Sequence, residues 1–439
     1  MGGTFMRVRI HRALILGLLA GPLLFWGRPG HAAPERDELY RDLKLFTDVL
    51  SLVRENYVDE VETGRLIQGA INGMLLTLDP HSSFMPPDVY REMQDETRGE
   101  FGGIGIEITI RDNVLTIVSP IEDTPADRAG LKAGDQIVKI GDKSTKDMTL
   151  VDAVRLMRGE KGTRMVISIL RESLAVPKEY TLVREIIRIR SVWSKVLEEG
   201  FGYVRIAQFQ ENTADELRKN LVALQGKGGK ALEGLILDLR NDPGGLLDQA
   251  VKVADAFLSE GLIVYTEGRE AQGRMKFVAR NDKNEISCPI VVLINGGSAS
   301  ASEIVAGALQ DHRRAVILGT PSFGKGSVQS IIPLGDDNGL RLTTALYFTP
   351  SGRSIQAKGI IPDILVHPLQ TKEEEGAVFR EADLENHLTP TGRKLEESRG
   401  DRRGPAAVSE AGKDYQLSRA LDLLKGWRLL KGLEKKGAA

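Results

Sequence analysis

A serine and a lysine, both set among small residues, are the best candidates for chemistry in this 439-residue sequence. Ser300 lies in the run Gly297-Ser-Ala-Ser-Ala-Ser-Glu303, between a short apolar segment at 289–295 and a helix-forming segment. A turn there would hold the hydroxyl at a helix N-terminus, where unpaired backbone N–H groups stabilise a developing oxyanion. The run also fits a plain capping box, for which Ser298 and Ser302 are equally well placed.

Lys325 follows 25 residues later, in the glycine-flanked run Gly324-Lys-Gly-Ser-Val-Gln329. A lysine accepts a proton only when it is neutral, which requires burial to lower its ordinary pKa of about 10.4. A neutral Lys325 would take the Ser300 proton and later pass it to the leaving group. In an extended segment Gln329 shares a face with Lys325, so its amide is predicted to orient the amine.

Two rival assignments of these residues can be tested on the sequence. His312 is excluded as a base, because 12 residues of helix would separate it from Ser300 by about 18 Å, whereas His81 stays open as a base brought in by folding. Gly319–Lys325 matches the first seven positions of a phosphate-binding loop, but Gly326 replaces the metal-binding hydroxyl. The residues that follow favour a strand, whereas such a loop must open a helix.

Two glycine-rich turns are predicted to supply backbone donors. Asn241-Asp-Pro-Gly-Gly245 follows an apolar strand, so the N–H groups of Gly245 and Ala301 are the candidate oxyanion donors. In the second turn, successive N–H groups form an anion nest suited to a C-terminal carboxylate, formed by Gly102, Gly103, Ile104 and Gly105. The alternating strand after it would accept an extended peptide by strand addition.

Composition narrows the classes of protein. Lys plus Arg (59) nearly balance Asp plus Glu (61), so no basic excess indicates a nucleic-acid partner. No HExxH or CxxC pattern supports a metal site, and we predict no metal or other cofactor. The single cysteine, Cys288, cannot form an internal disulfide and is predicted to be a small buried hydrophobe.

The elements that must position these residues form an α/β catalytic core, a mixed sheet with flanking helices, together with a helical N-terminal region and a helical tail. The predicted segments are 1–33, a signal peptide or signal anchor; 34–97, mainly helical; 98–172, a small β-rich domain; 173–368, the core; and 369–439, a charged, partly disordered tail ending in an amphipathic helix.

Arginines before the apolar stretch 13–26 are typical of an export signal, so the chain is predicted to reach the periplasm or cell envelope. Cleavage of the segment and an inner-membrane tether both stay open. The C-terminal helix is expected to pack on the body of the protein or on a second subunit, which leaves a homo-oligomer open as well.

Taken together, five motifs resemble the C-terminal processing peptidases, also called tail-specific proteases. They are Leu78-Asp-Pro-His-Ser-Ser-Phe-Met-Pro86, Phe101-Gly-Gly-Ile-Gly-Ile106, Asp238-Leu-Arg-Asn-Asp-Pro-Gly-Gly245, the Ser300 run and the Lys325 run. The resemblance implies a serine endopeptidase that cuts exported proteins near their C-termini, with 98–172 an inserted PDZ domain that binds the nonpolar tail.

The same resemblance assigns individual roles. It implies Ser300 as nucleophile, Lys325 as base, Gln329 as supporting amide, and Ala301 with Gly244 or Gly245 as oxyanion donors. The alternative from another class is a non-catalytic PDZ scaffold or chaperone of the cell envelope, in which the Ser300 and Lys325 spacing is accidental.

Overall fold

A computed structural model describes residues 34–111, 113–171, 176–225, 232–269, 274–280, 286–369, 380–390 and 414–437. The predicted export segment 1–33 and part of the predicted tail, including 398–413, lie outside these residues. Within the described ranges, no helix combines the length and the apolar character needed to cross a membrane.

The helices in the described ranges are α1 Pro34–Asn56, α2 Thr63–Leu76, α3 Pro87–Arg98, α4 Pro125–Arg128, α5 Leu150–Met157, α6 Thr213–Leu224, α7 Leu247–Asp255, α8 Ala301–Asp311 and α9 Tyr415–Gly437, with one 3-10 turn at Glu381–Asp383.

The strands are β1 Ser83–Met85, β2 Glu100–Gly103, β3 Ile106–Arg111, β4 Val114–Pro120, β5 Gln136–Ile140, β6 Lys143–Ser144, β7 Arg164–Leu170, β8 Lys178–Val183, β9 Glu185–Arg188, β10 Val192–Glu198, β11 Phe201–Ile206, β12 Gly234–Asp238, β13 Leu262–Gly268, β14 Met275–Val278, β15 Ile290–Ile294, β16 Ala315–Gly319, β17 Ser327–Pro333, β18 Gly339–Phe348 and β19 Ile364–Leu365.

The central sheet of the core has six strands in the order β10-β11-β12-β15-β16-β19. The first pair is antiparallel and the other pairs are parallel, so the sheet is mixed as predicted. Parallel strands covered on both faces are continuous apolar runs, and every residue of β12 and β15 is buried.

Two helical layers cover this sheet. Because side chains alternate along a strand, Val292 of β15 belongs to the hydrophobic cluster that includes Val305 of α8. Its neighbours Val291 and Leu293 belong to a second cluster with Leu424 of α9. The C-terminal helix therefore packs on the protein's own sheet.

The small domain is an antiparallel sheet in the order β3-β4-β5-β7-β8, with β6 pairing β5. Thr149 caps α5, since its side chain accepts a hydrogen bond from the Asp152 N–H group. The pairing of β8 with β7 carries the sheet beyond residue 172, the predicted end of this segment.

A further sheet has the order β1-β18-β13-β14, with β17 paired to β18. Its strand β17 follows directly after the Lys325 loop. At the N-terminal end, the residues up to Gly69 form a compact unit distinct from the unit that begins at Ala70. Within that first unit α1 exposes apolar side chains, including Leu39, Leu43 and Phe46.

Candidate active site

Three turns of the core leave the same edge of the central sheet. Gly245, Ser300 and Lys325 follow β12, β15 and β16, which are adjacent and parallel. The carboxyl ends of parallel strands form the usual ligand site of an open α/β sheet. The topology therefore gathers the predicted nucleophile, base and oxyanion donor at one edge.

Ser300 occupies a strained turn at the start of α8. Its φ of 55° and ψ of −112° lie in a region that non-glycine residues rarely adopt. A Cβ at Gly244 would lie 2.8 Å from the Cβ of Ser300, so only glycine allows this approach. Such strain is often stored at active sites, where the fold fixes a side chain in a reactive position.

Glu303, three residues into the turn, joins the Ser300 and Lys325 loops. Although it is completely buried, its carboxylate accepts four hydrogen bonds, from the N–H groups of Ser300 (2.8 Å), Gly324 (2.7 Å) and Lys325 (2.9 Å) and from the Ser322 hydroxyl (2.6 Å). The single oxygen Oε2 accepts from both Ser300 and Lys325. Burial raises the pKa of Glu303 to about 7, against these hydrogen bonds.

The environment of Lys325 favours the neutral amine that a base requires. Burial lowers the pKa of Lys325, although the carboxylates of Glu381, Glu303 and Asp79 act in the opposite direction. Among the described residues no carboxylate forms an ion pair with its Nζ, and no group there hydrogen-bonds to it. The amine is thus half-buried and available to a proton donor.

Tyr347, on β18, connects the same two residues a second time. Its hydroxyl donates to the carbonyl oxygen of Lys325, and the Ser300 side chain is a close polar neighbour of the same phenol. The Tyr347 N–H group donates to the Gly326 carbonyl at 2.9 Å. Burial raises the pKa of this phenol well above its ordinary range. The tyrosine is therefore a neutral hydrogen-bonding partner beside the nucleophile.

The hydrogen bonding of the backbone amides distinguishes Gly245 from Gly244 as the candidate oxyanion donor. Gly244 donates its N–H to Asp242 Oδ1 at 2.9 Å, so that group is engaged. The N–H groups of Gly245 and Ala301 have no acceptor within the described ranges. Both follow strand ends at the Ser300 edge of the sheet, and both remain able to donate to an oxyanion.

Gln329 and His81 form hydrogen bonds with residues other than Ser300 and Lys325. The Gln329 amide nitrogen donates to the hydroxyls of Ser327 (3.0 Å) and Thr343 (3.3 Å), and no hydrogen bond joins it to Lys325. The Nε2 atom of His81 lies 2.8 Å from both carboxylate oxygens of Glu381. The histidine is thus engaged by a carboxylate from the segment 380–390.

The small domain holds an apolar groove of about 240 Å³ between β3 and α5. Gly103, Ile104 and Gly105 line one end, whereas Gly102 lies outside and accepts a hydrogen bond at its carbonyl oxygen from the Gly159 N–H group. The floor and wall are formed by Ile106, Ile108, Leu150, Val154 and Met157. In this part of the chain the N–H groups of Ile104 and Gly105 find no acceptor.

Sequence patterns pointed to only part of this site. Glu303 was visible as the last position of a capping box, but its bonds to the Lys325 loop depend on tertiary folding. Tyr347 and Glu381 carry no local motif. A second signal for Glu303 is its place as a carboxylate in the otherwise apolar, small-residue start of a buried helix.

Three stretches of the chain match known families. Residues 200–366 match peptidase family S41, 116–171 match a PDZ domain, and 29–89 match the N-terminal domain of activating protease CtpB.

Among curated proteins, the carboxy-terminal-processing protease of Bartonella bacilliformis is 48% identical over 390 residues, which cover 88% of this chain and 89% of the relative. The carboxyl-terminal-processing protease of Synechocystis sp. is 37% identical and is covered to 88%. A solved structure, a photosystem II D1 C-terminal processing protease, is 31% identical with a TM-score of 0.43; the match covers 74% of this chain and 92% of that one. The chain thus belongs to the carboxy-terminal-processing proteases of peptidase family S41, which are serine-type peptidases, and it carries their PDZ domain.

Proposed function

We propose that this peptidase cuts exported proteins near their C-termini, using Ser300 as nucleophile and Lys325 as its general base. The observation that carries the proposal is the buried Glu303 oxygen that binds the backbone amides of both residues at 2.8 and 2.9 Å. Such a shared acceptor fixes the separation of the two loops. The relatives from Bartonella bacilliformis and Synechocystis sp. are named for the same class of reaction.

The proposed reaction proceeds by acyl transfer. The neutral amine of Lys325 takes the Ser300 proton as Oγ bonds to the scissile carbonyl carbon. The N–H groups of Gly245 and Ala301 stabilise the oxyanion. The Lys325 ammonium then donates its proton to the leaving amine, and water hydrolyses the acyl-enzyme with Lys325 again as base. Gln329, on β17, is proposed to assist by orienting the Lys325 amine.

The PDZ groove is proposed to hold the substrate tail. A peptide C-terminus would add as a strand along β3, with its apolar side chain between Ile106 and Val154 and its carboxylate on the unpaired amides of Ile104 and Gly105. The guanidinium of Arg158, also at this end of the groove, adds a positive charge.

The enzyme is also proposed to act outside the cytoplasm. The segment 1–33 directs export to the periplasm or cell envelope, either removed or kept as an inner-membrane tether. The chain is divided into the segments 34–97, 98–172, 173–368 and 369–439, with β8 extending the small-domain sheet past 172 and α9 packing on the core sheet. Apolar residues exposed on α1 support self-association of the N-terminal region.

Charge placed inside the groove is expected to weaken tail binding selectively. The Val154→Glu variant puts a charged group where the apolar side chain of the tail is proposed to pack, so KM should rise about tenfold or more while kcat stays within twofold. Val151→Glu is the matched control, because Val151 lies on the same helix but is 66% exposed and outside the groove. Equal effects of the two variants would contradict tail binding in this groove.

The proposed function is tested by the position of the cut. A reporter protein with an apolar C-terminal tail should lose a C-terminal fragment, identified by intact-mass analysis. A tail ending in a carboxamide should be cut with a higher KM, because it lacks the charge that the amides bind. Tail binding without cleavage would instead favour a non-catalytic PDZ scaffold, and cuts spread along the chain would contradict C-terminal processing.

A further inference from the structure

The short segment 380–390 buries a carboxylate at the active site, although it lies after the region that matches the peptidase family. Glu381 is completely buried. Its carboxylate accepts a hydrogen bond from the amide nitrogen of Gln356 at 2.8 Å and lies 2.8 Å from Nε2 of His81. A buried carboxylate with two hydrogen-bonding partners is a costly arrangement that usually serves a purpose beyond packing.

The same residue is tied to both sides of the Lys325 loop. On the N-terminal side, the Glu381 N–H group donates to the carbonyl oxygen of Phe323 at 3.2 Å. On the C-terminal side, the Gln356 side-chain oxygen accepts from the Gly326 N–H group at 2.8 Å while its nitrogen donates to Glu381. The Lys325 loop is therefore held by Glu381, directly at Phe323 and through Gln356 at Gly326, in addition to its bonds to Glu303.

We propose that Glu381 is a positioning residue for Lys325: it holds the loop in place and, as a nearby negative charge, sets the pH above which the amine becomes an effective base. The inference rests on the proposed role of Lys325. It also gives the segment 380–390 a function, because the protease would be fully competent only with this segment docked.

The charges around the amine favour this role over a purely structural one. The groups that act on Lys325 come from separate elements, namely the carboxylates of Glu381, Glu303 and Asp79 and the guanidinium of Arg341, with Tyr347 and His81 as further titratable neighbours. Among the charged groups Glu381 has the largest effect, and it raises the pKa of Lys325 against the effect of burial. Removing its charge should lower that pKa further.

The test compares pH profiles of three variants on the tailed reporter. Glu381→Gln keeps the shape and a hydrogen-bond acceptor but removes the charge, so the acid limb of kcat/KM should move to lower pH with the plateau within about twofold. Glu381→Ala also removes the clamp, so plateau kcat should fall about tenfold to a hundredfold with little change in KM. Asp383→Asn, which removes an exposed charge two residues away, should match the parent.

Other outcomes overturn the inference. An acid limb unmoved by Glu381→Gln, or moved equally by Asp383→Asn, would show that Glu381 does not act on the base. A parent-like plateau in Glu381→Ala would show that the clamp is dispensable. These results are distinct from failure of the proposed function, in which the parent itself shows no Ser300-dependent cleavage; that result would remove this inference as well.

Discussion

Cleavage of a tailed reporter should be nearly abolished in the Ser300→Ala and Lys325→Met variants, while tail binding is retained. Loss of the nucleophile is expected to lower kcat by a factor on the order of 10⁴ or more. Methionine keeps the apolar stem of Lys325 without the amine. The decrease in kcat of this variant should therefore reflect the general-base contribution, about 10²- to 10⁴-fold. The PDZ groove is untouched in both variants, and the tail should bind each with the affinity of the parent.

A matched control distinguishes the loss of the catalytic base from the loss of any lysine side chain. Lys358→Met removes an exposed lysine from a neighbouring loop and should leave turnover unchanged. In the parent, kcat/KM should rise on an acid limb set below the ordinary lysine range, because burial lowers the pKa of Lys325. Full turnover by Ser300→Ala or Lys325→Met would refute the dyad.

Replacing Glu303 by glutamine should damage activity and stability together. The amide nitrogen would face N–H groups that now donate to a carboxylate, leaving buried donors without an acceptor, at a cost of about 2–4 kcal/mol in the free energy of unfolding. The Ser300 and Lys325 loops would lose their common anchor, so kcat should fall about a hundredfold. Turnover and denaturant unfolding measure the two effects.

Glu216→Gln is the control for this experiment. Glu216 also accepts from backbone amides, those of Ser191 (3.0 Å) and Val192 (3.1 Å), but it lies on α6 and has no hydrogen bond to the active-site loops. It should therefore lose stability with kcat unchanged. If Glu303→Gln also kept its kcat, Glu303 would be a structural residue only.

The pH dependence of stability gives a second measurement on Glu303. Its pKa rises from an ordinary 4.5 to about 7 on folding, so between these values the folded protein binds more protons than the unfolded chain. The contribution of Glu303 is thus fully present below pH 4.5 and is lost as the pH rises through about 7. In Glu303→Gln this part of the decline should be missing.

Local sequence patterns predicted those features of the site that local structure determines. The strand after Lys325 was predicted from its extended, proline-ended pattern, and β17 follows it, which is why the glycine-rich run cannot act as a phosphate-binding loop. The apolar segment before Ser300 became β15, and His312 ends α8 far along the helix from Ser300. In each case the determining residues are close in sequence.

The remaining features depend on contacts that no local pattern encodes. Thr213-Ala-Asp-Glu216 has the sequence of a capping box, but the helix begins at Thr213 and the Glu216 carboxylate accepts from the distant Ser191 backbone instead. A bulge between Val328 and Gln329 changes the alternation of faces along β17, so spacing alone could not place the Gln329 amide.

The position of α9 bears on whether this protease can cut that helix in its own chain. A substrate tail must be extended to join a sheet edge in the groove, whereas this stretch is helical and buries Ala420 and Leu424 against the sheet. For α9 to be cut, it would first have to detach from the central sheet and unfold, which would expose Ala420 and Leu424 to water. Packing of α9 on the sheet is therefore expected to disfavour cleavage within this helix.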